Sequence, residues 1–159
     1  MSTRTKNQTF MHLAKAIRSD GSEYVAVTMT GLIVDPSDLL TAPNASHVLN
    51  FFTPVENRNR LVAKYCGLEP TVDGNGTTWA DVTAWGREAE QFSLYLKNHP
   101  RSIITLVGEM RVEQVPGRAD KPYNRIKITM TDFDHKVDMP PRPASRAIAA
   151  IEAADGLAG

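Results

Sequence analysis

Two tryptophans six positions apart are the residues of this sequence best suited to bind a ligand. Trp79 and Trp85 lie in the stretch TTWADVTAW, residues 77–85. Because side chains alternate along a strand, a strand here would place both tryptophans on the face that carries Asp81 and Thr83, with small apolar residues on the opposite face. Aromatic rings on a polar face leave apolar surface in water unless another flat group stacks on them. The stretch therefore predicts a strand with a stacking surface.

Basic side chains occur in the segments on both sides of this strand. Stacking depends little on base identity and contributes about 1–3 kcal/mol per base, while lysine and arginine follow the phosphates. The candidates for phosphate contacts are Arg58, Arg60, Lys64, Arg87, Arg111, Arg118, Lys121, Arg125 and Lys127. Those in loops have the alternative interpretation of solvated loop charges. With Trp79 and Trp85 as platforms, the set predicts a binding surface for a single strand, with affinity that falls steeply as salt rises.

The overall charge gives no support to a nucleic-acid partner, because 18 basic and 18 acidic residues cancel in the 159-residue chain. Any affinity for phosphate would come from local clusters. The single cysteine, Cys66, excludes an internal disulfide and fits a reducing cytoplasm. No apolar run approaches the length of a membrane span and the first residues contain no apolar signal core, so we expect a cytoplasmic protein with no membrane partner.

Catalytic and metal chemistry find little support in the sequence. The only compact group of acids and histidine is Asp132, Asp134 and His135, which lacks a further ligand and is interpreted as the polar end of a strand. Cys66 has no neighbouring feature that would activate its thiol, and no glycine-rich phosphate loop is present. We therefore expect no enzymatic activity, no catalytic residue, no metal and no cofactor.

Alternating apolar residues predict five strands, and helical spacing predicts one helix between the third and the fourth. The predicted strands cover residues 24–34, 47–55, 78–85, 102–114 and 123–131. The helix covers residues 87–98, with Ala89 and Phe92 on its apolar stripe. Residues 56–76 and 116–122 would be finger loops. This order predicts an all-β fold, a five-stranded OB-fold barrel with one short helix between strands 3 and 4 and extended finger loops.

The sequence predicts one domain with a short extension at each end. Residues 1–22 form the N-terminal extension, where the apolar spacing from Phe10 to Ile17 predicts a short helix. This helix would pack on the domain edge, or with its basic residues serve as a partner-binding arm; we favour the first. Residues 23–137 form the domain, and residues 138–159 form a proline- and alanine-rich tail.

Five short segments carry a further signal. They are NFF with ENR (residues 50–58), TTWADV (77–82), AWGREAE (84–90), YLK (95–97) and VGEMR (107–111). In this order and spacing they resemble the bacterial single-stranded DNA-binding protein family, over residues 25–137. By this resemblance, Trp79 and Trp85 would stack on bases, while Arg87 and Arg111 occupy basic positions of the family.

The same resemblance implies a function and a setting. The domain would bind single-stranded DNA non-sequence-specifically, protecting it during DNA replication, recombination or repair, and would not cut it. Members of the family assemble as homotetramers or as dimers of two-domain chains, so a homotetramer or homodimer is expected here. Replication and repair proteins are the expected protein partners, and the bacterial cytoplasm or nucleoid is the expected location.

The sequence departs from the family pattern in several places. Val115 stands close to the position of a frequent third tryptophan, and Asn59 or Arg60 stands near that of a finger aromatic. Asp81 stands where a basic residue is common. The chain also ends without the acidic tip and terminal phenylalanine through which the family recruits partner enzymes. Fewer stacking platforms and one adverse charge predict weaker DNA binding or a different path for the strand, and the altered tail argues against recruitment of replication and repair enzymes through it.

The alternative hypothesis is an OB-fold protein-interaction domain, an accessory subunit of a replication or transfer complex with weak DNA affinity. Net neutrality, Asp81, the missing third tryptophan and the altered tail favour it. The two hypotheses differ over Trp79 and Trp85, which are exposed in the free protein if they bind DNA and buried in a protein contact otherwise. Phe52 is interpreted as an oligomer contact, and the role of Tyr123 is left open.

Overall fold

The computed structural model describes residues 10–117 and 122–140. In these residues the elements are β1 (Met11–Ile17), β2 (Glu23–Leu32), β3 (Leu40–Thr41), β4 (His47–Val55), α1 (Asn59–Cys66), β5 (Thr78–Trp85), α2 (Gly86–Asn98), β6 (Ser102–Val115) and β7 (Tyr123–Asp138). Residues 1–9 of the predicted N-terminal extension and residues 141–159 of the predicted tail lie outside the described residues, and the domain boundaries stay predictions. The domain itself is mostly β, as the sequence predicts.

The seven strands of the described chain form one sheet in the order β1-β2-β6-β7-β5-β4-β3. Neighbouring strands are antiparallel except β5 and β7, which are parallel. An isolated bridge joins Val34, just after β2, to Phe52 in β4. β6 shifts register at Gly108, where a Cβ atom would lie 2.1 Å from the Thr129 carbonyl oxygen, so only glycine fits. The sheet is consistent with an OB-like fold, but seven strands replace the predicted five.

Residues 11–17 are the first correction, because they form the strand β1 where the sequence predicts a helix. Met11 and Leu13 are buried, whereas Phe10 and Ile17, which helical spacing would place on the same apolar side, are 55% and 70% exposed. β1 pairs with β2 along its whole length. This pairing gives partners to backbone groups at the edge of β2, which outweighs the local helical pattern.

The long segment 56–76 is the second correction, because it contains the helix α1 instead of a bare finger. Val62 is completely buried, and α1 packs against β1 and β6. The helix ends at Gly67, whose φ of 85° is the left-handed conformation of a C-cap. Farther along, the Thr71 backbone N–H donates to the Asn124 carbonyl at 2.9 Å. The Thr71 hydroxyl oxygen accepts a hydrogen bond from the Asn124 backbone N–H, also at 2.9 Å. The segment therefore stays close to the sheet.

The core is formed by the inward-facing apolar residues of the strands together with buried residues of both helices. Phe51 from β4 and Phe92 from α2 are completely buried and stack with ring centroids 5.1 Å apart. Ala89 is the other buried residue of α2, as the predicted apolar stripe requires. Neither helix in the described residues has the length and apolar character needed to span a membrane.

Candidate nucleic-acid interface

β5 carries the two tryptophans on its outward face, as its alternating pattern predicts. Ala80, Val82 and Ala84 point into the core and are at most 1% exposed. Trp85 is 44% exposed and Trp79 is half-buried. Six residues of extended chain separate the two rings by about 20 Å. One base therefore cannot contact both tryptophans, and they are two separate platforms.

An aromatic cleft of about 630 Å³ opens beside Trp79. Three strands each contribute a ring to this cleft, Phe52 from β4, Trp79 from β5 and Tyr123 from β7. The other lining residues are Val34, Asp35, Asp81, Val115, Pro116, Gly117 and Arg125. Pockets of about 300–1,000 Å³ accept small organic groups, so this one has room for a nucleobase. Trp85 lies outside the cleft, at the other end of β5.

The indole of Trp79 is fixed in place by the turn that precedes β5. Its Nε1–H donates to Asp73 Oδ2 at 2.8 Å. The other oxygen of Asp73 accepts the backbone N–H groups of Asn75 at 2.8 Å and Thr77 at 2.9 Å. The hydrogen bonds from Thr77 and then from Trp79 lower the pKa of Asp73. A ring held in this way loses little conformational freedom when a base stacks on it.

Asp81 lies at the centre of the face and is only 8% exposed. Lys127 Nζ lies 3.0 Å from Asp81 Oδ2, and Arg125 Nη1 lies 3.8 Å from the same oxygen. The other oxygen, Oδ1, is buried and has no hydrogen-bond partner among the described residues. The charge that the sequence marks as adverse to DNA is therefore balanced by two cations.

Strand register aligns three charged residues and one phenylalanine in a row across four strands. From β6 to β4 the residues of this row are Arg111, Lys127, Asp81 and Phe52. Arg111 is paired with Glu113, with Nη2 lying 3.0 Å from Oε1. The three predicted strand cations, Arg111, Arg125 and Lys127, therefore share one face of the sheet, and each has a carboxylate partner.

The remaining predicted cations lie on the helices or outside the described residues. Arg60 and Lys64 are exposed on α1, and Arg58 occupies the N-cap of that helix. Arg87 is exposed in the first turn of α2, two residues after Trp85. Arg118 and Lys121 lie outside the described residues. Among the predicted cations that the structure describes, Arg125 is the one that lines the aromatic cleft.

Phe52 and Tyr123 line the cleft, although the sequence analysis did not assign either residue to the binding site. Phe52 is 37% exposed, whereas its neighbour Phe51 is fully buried. The available signal was that β4 carries a phenylalanine on each face, so one of them had to leave the core. The strand register shows which residues Phe52 lies beside, because it places Phe52 opposite Asp81 on the strand that carries the tryptophans.

The group Asp132, Asp134 and His135, which is compact in the sequence, is divided in the structure. Asp132 and Asp134 lie along β7 beside β6, while His135 joins His99 and Asp138 at the end of α2. Ligand atoms of these last three residues lie within 4.8 Å of one another, so they are the side chains in the described chain that could hold a metal ion. Their polar atoms are already paired in part, since His99 Nδ1 lies 2.7 Å from Asp138 Oδ1.

The sheet order and the bridge to β4 define an OB-like fold. In agreement, the structure is similar to the small single-stranded DNA-binding protein from Streptomyces coelicolor, with a TM-score of 0.50 and 14% identity over 72% of this chain and 95% of that one. The resemblance to single-stranded DNA-binding proteins seen in the sequence is thus confirmed at the level of the fold. No protein-family model matches the sequence, and neither does any curated protein.

Two further solved structures are similar at lower scores. The SSB domain of a protein from Synechococcus sp. has a TM-score of 0.43 and 15% identity, over 69% of this chain and 93% of that chain. The protein PriB from Ralstonia solanacearum has a TM-score of 0.41 and 10% identity, over 70% of this chain and 97% of that chain.

Proposed function

We propose that this protein binds single-stranded DNA through the outward face of β4, β5 and β7. The observation that carries the proposal is the aromatic cleft, where Phe52, Trp79 and Tyr123 surround a space of about 630 Å³ on an OB-like sheet. Bases stack in the cleft and on Trp85, and each stacked base contributes about 1–3 kcal/mol. Because every base has a flat face, stacking binds strands of any sequence.

The cations serve the phosphates in two groups. Arg125 and Lys127 lie beside the cleft, where they hold Asp81, and an incoming phosphate competes for them. Arg87 extends the track past Trp85, while Arg58, Arg60 and Lys64 form a further basic group at α1. Arg111, Arg118 and Lys121 complete the set proposed from the sequence. Log affinity should then fall linearly with log salt concentration.

The state of Cys66, the one thiol of the chain, supports a binding role rather than nucleophilic catalysis. Burial raises the pKa of the Cys66 thiol, so the reactive thiolate is disfavoured at neutral pH. The protein of similar fold from Streptomyces coelicolor is named as a single-stranded DNA-binding protein. We extend the proposal to protection of DNA in replication, recombination or repair in a bacterial cytoplasm, by a homotetramer or homodimer.

Titration of tryptophan fluorescence with a mixed-sequence single strand, at low and at high salt, tests the proposal. We expect quenching that is reversed by salt and reduced in both Trp79→Ala and Trp85→Ala. Leu94→Ala is the matched control, because Leu94 is 60% exposed on α2 and lies outside the aromatic cleft. Absence of quenching together with absence of a gel shift would refute DNA binding.

A protein-interaction domain is the second candidate, and it is favoured by the charge balance of the face. Arg111, Arg125 and Lys127 each have a carboxylate partner, which reduces the positive potential available to phosphates. An extended peptide with an aromatic or aliphatic anchor would fill the same cleft. The titration separates the two functions, since a peptide site would leave the fluorescence unchanged on addition of DNA.

A further inference from the structure

Two histidines and a carboxylate meet where the end of α2 lies beside the end of β7. His99 is the C-cap of α2, whereas His135 and Asp138 belong to the last four residues of β7. One ligand atom from each of the three side chains lies within 4.8 Å of the other two. The side chains of His99, His135 and Asp138 are 30%, 37% and 58% exposed, so an ion in solution has access to all three.

The separations in this group suit a shared ion. His99 Nδ1 lies 2.7 Å from Asp138 Oδ1, and the largest separation between ligand atoms of the three residues is 4.8 Å. In a tetrahedral site with bonds of about 2.0–2.1 Å, neighbouring ligand atoms are about 3.3 Å apart. This value lies inside the observed range, so small rotations of partly exposed side chains are enough to place an ion between them.

A hydrogen bond to the protein already orients the imidazole of His135. The Tyr95 hydroxyl lies 2.7 Å from His135 Nδ1 and 2.7 Å from Ser102 Oγ. With Nδ1 engaged by Tyr95, the nitrogen of His135 that is left for a metal is Nε2. Metal-bound histidines usually have such a partner on their second ring nitrogen, which fixes the ring and the tautomer.

The electrostatics and the backbone of this corner also favour a bound cation. The C-terminus of a helix carries a negative partial charge, and His99 lies at that end of α2. Asp138 adds a carboxylate, whose ion-pair partners among the described residues are His99 and His135, with no lysine or arginine. Asp138 is held by pairing with Ser102, so the carboxylate is carried by a fixed strand end.

The ligand types indicate which metal the group would take. Imidazole suits transition metals such as zinc, whereas Mg²⁺ and Ca²⁺ prefer sites built from oxygen. Zn²⁺ is the best match, because it accepts imidazole and carboxylate ligands with no geometry imposed by its d electrons. Three protein ligands leave one tetrahedral position for water.

We propose that His99, His135 and Asp138 bind one divalent transition-metal ion, best matched by Zn²⁺, which joins the end of β7 to the end of α2. This inference is independent of the proposed DNA binding. The sequence predicts no metal, because His99 and Asp138 are 39 residues apart in the chain and only the fold brings them together. For His99 to coordinate through Nδ1, the ion replaces the proton that this nitrogen shares with Asp138 Oδ1.

Isothermal titration calorimetry of the untagged, chelator-treated chain with ZnCl₂ tests the proposal. We expect one zinc ion per chain, and an excess of Mg²⁺ should leave the titration unchanged. Zinc should also raise the melting temperature, and EDTA should reverse the rise, because an ion that binds the folded state stabilises it. Absence of zinc binding, both by calorimetry and by equilibrium dialysis, would overturn the proposal.

Single substitutions locate the bound ion. Each of three variants removes one ligand and should weaken zinc binding by about 100-fold or more, since loss of an outer hydrogen-bond partner alone costs 10–100-fold. These variants are His99→Gln, His135→Gln and Asp138→Asn. The matched control is His47→Gln, because His47 Nδ1 lies 3.2 Å from Glu90 Oε1 but has no second histidine beside it in the described residues. The control should bind zinc as the unaltered chain does.

NMR of the histidine rings keeps the test decisive even where a variant fails to fold. Zinc added to the unaltered protein should shift the ring nitrogen resonances of His99 and His135 and leave those of His12 and His47 in place. Shifts confined to His12 and His47 would place the ion elsewhere and overturn the proposal. Zinc affinity that is unchanged in the three ligand variants would also overturn it.

Discussion

Two groups of aromatic rings on this molecule have similar compositions and opposite arrangements. The packed cluster consists of Phe92, Tyr95, His99, Phe133 and His135. Its rings lie against one another, with Phe92 and Phe133 centroids 4.9 Å apart and Tyr95 and His99 centroids 4.6 Å apart. The rings of the aromatic cleft surround a space, and in the described residues none of them makes a contact with another ring.

The two groups also differ in whether their polar atoms have hydrogen-bond partners within the protein. In the packed cluster the Tyr95 hydroxyl lies 2.7 Å from both Ser102 Oγ and His135 Nδ1, so its capacity is used within the protein. In the aromatic cleft, Asp81 keeps one buried oxygen without a partner in the described chain. Rings that contact one another and satisfy their polar atoms stabilise a fold, whereas rings that surround an open space are available to a ligand.

Truncation of Phe92 should have the largest effect and should act only on stability. Phe92 is fully buried and contacts Phe51, Tyr95 and Phe133. Phe92→Ala should reduce the free energy of unfolding by about 3–5 kcal/mol, measured by urea denaturation. Phe52→Ala is the matched variant, because Phe52 is 37% exposed and should cost well under half as much. Equal losses would erase the distinction between the two groups.

Truncation of Trp79 should have the next largest effect and should act on binding. Trp79→Ala removes one platform and should weaken DNA binding by about 1–3 kcal/mol, or roughly five- to 150-fold, in a fluorescence anisotropy titration. Trp79→Phe keeps a flat ring while losing the hydrogen bond to Asp73, so it should retain most of the affinity. A loss in Trp79→Phe as large as in Trp79→Ala would mean that the anchored position, rather than stacking, decides binding.

Removal of the Tyr95 hydroxyl should have a moderate effect confined to the packed cluster. Tyr95→Phe leaves the fully buried Ser102 hydroxyl without this partner and should lower the free energy of unfolding by about 1 kcal/mol. Chemical denaturation measures the loss, and oligonucleotide affinity should stay unchanged. A shift in DNA affinity without a shift in stability would place this cluster in the binding surface.

Acidification should have the smallest effect, a loss of order around Trp79. The pKa of Asp73 is lowered in the fold, so the stabilisation from its hydrogen bonds is fully present above the unfolded pKa of about 3.9 and is lost as pH falls through the lower folded pKa. In a Trp85→Phe background, Trp79 emission should change over that acid range. Asp73→Asn cannot titrate and should show no such change; a change that persists there would come from another acid.

The elements around the cleft could be predicted because their patterns are strong. β4 and β5 begin and end at the predicted residues, and α2 begins one residue earlier than predicted. β1 was mistaken for a helix because its apolar residues also fit helical spacing. The sequence held a better signal in Asp20-Gly21, a dipeptide typical of tight hairpins, and Gly21 adopts a φ of 90° there.

The sequence by itself determined which side chains of β5 face outward, because alternation is a local property of an extended chain. It thereby identified Trp79 and Trp85 as two rings that the core does not need. Only the tertiary structure decided that Phe52 and Tyr123 join Trp79, and that Lys127 and Arg125 balance Asp81. These neighbours come from strands distant in sequence, and their register depends on turns and long-range pairing, which no local pattern records.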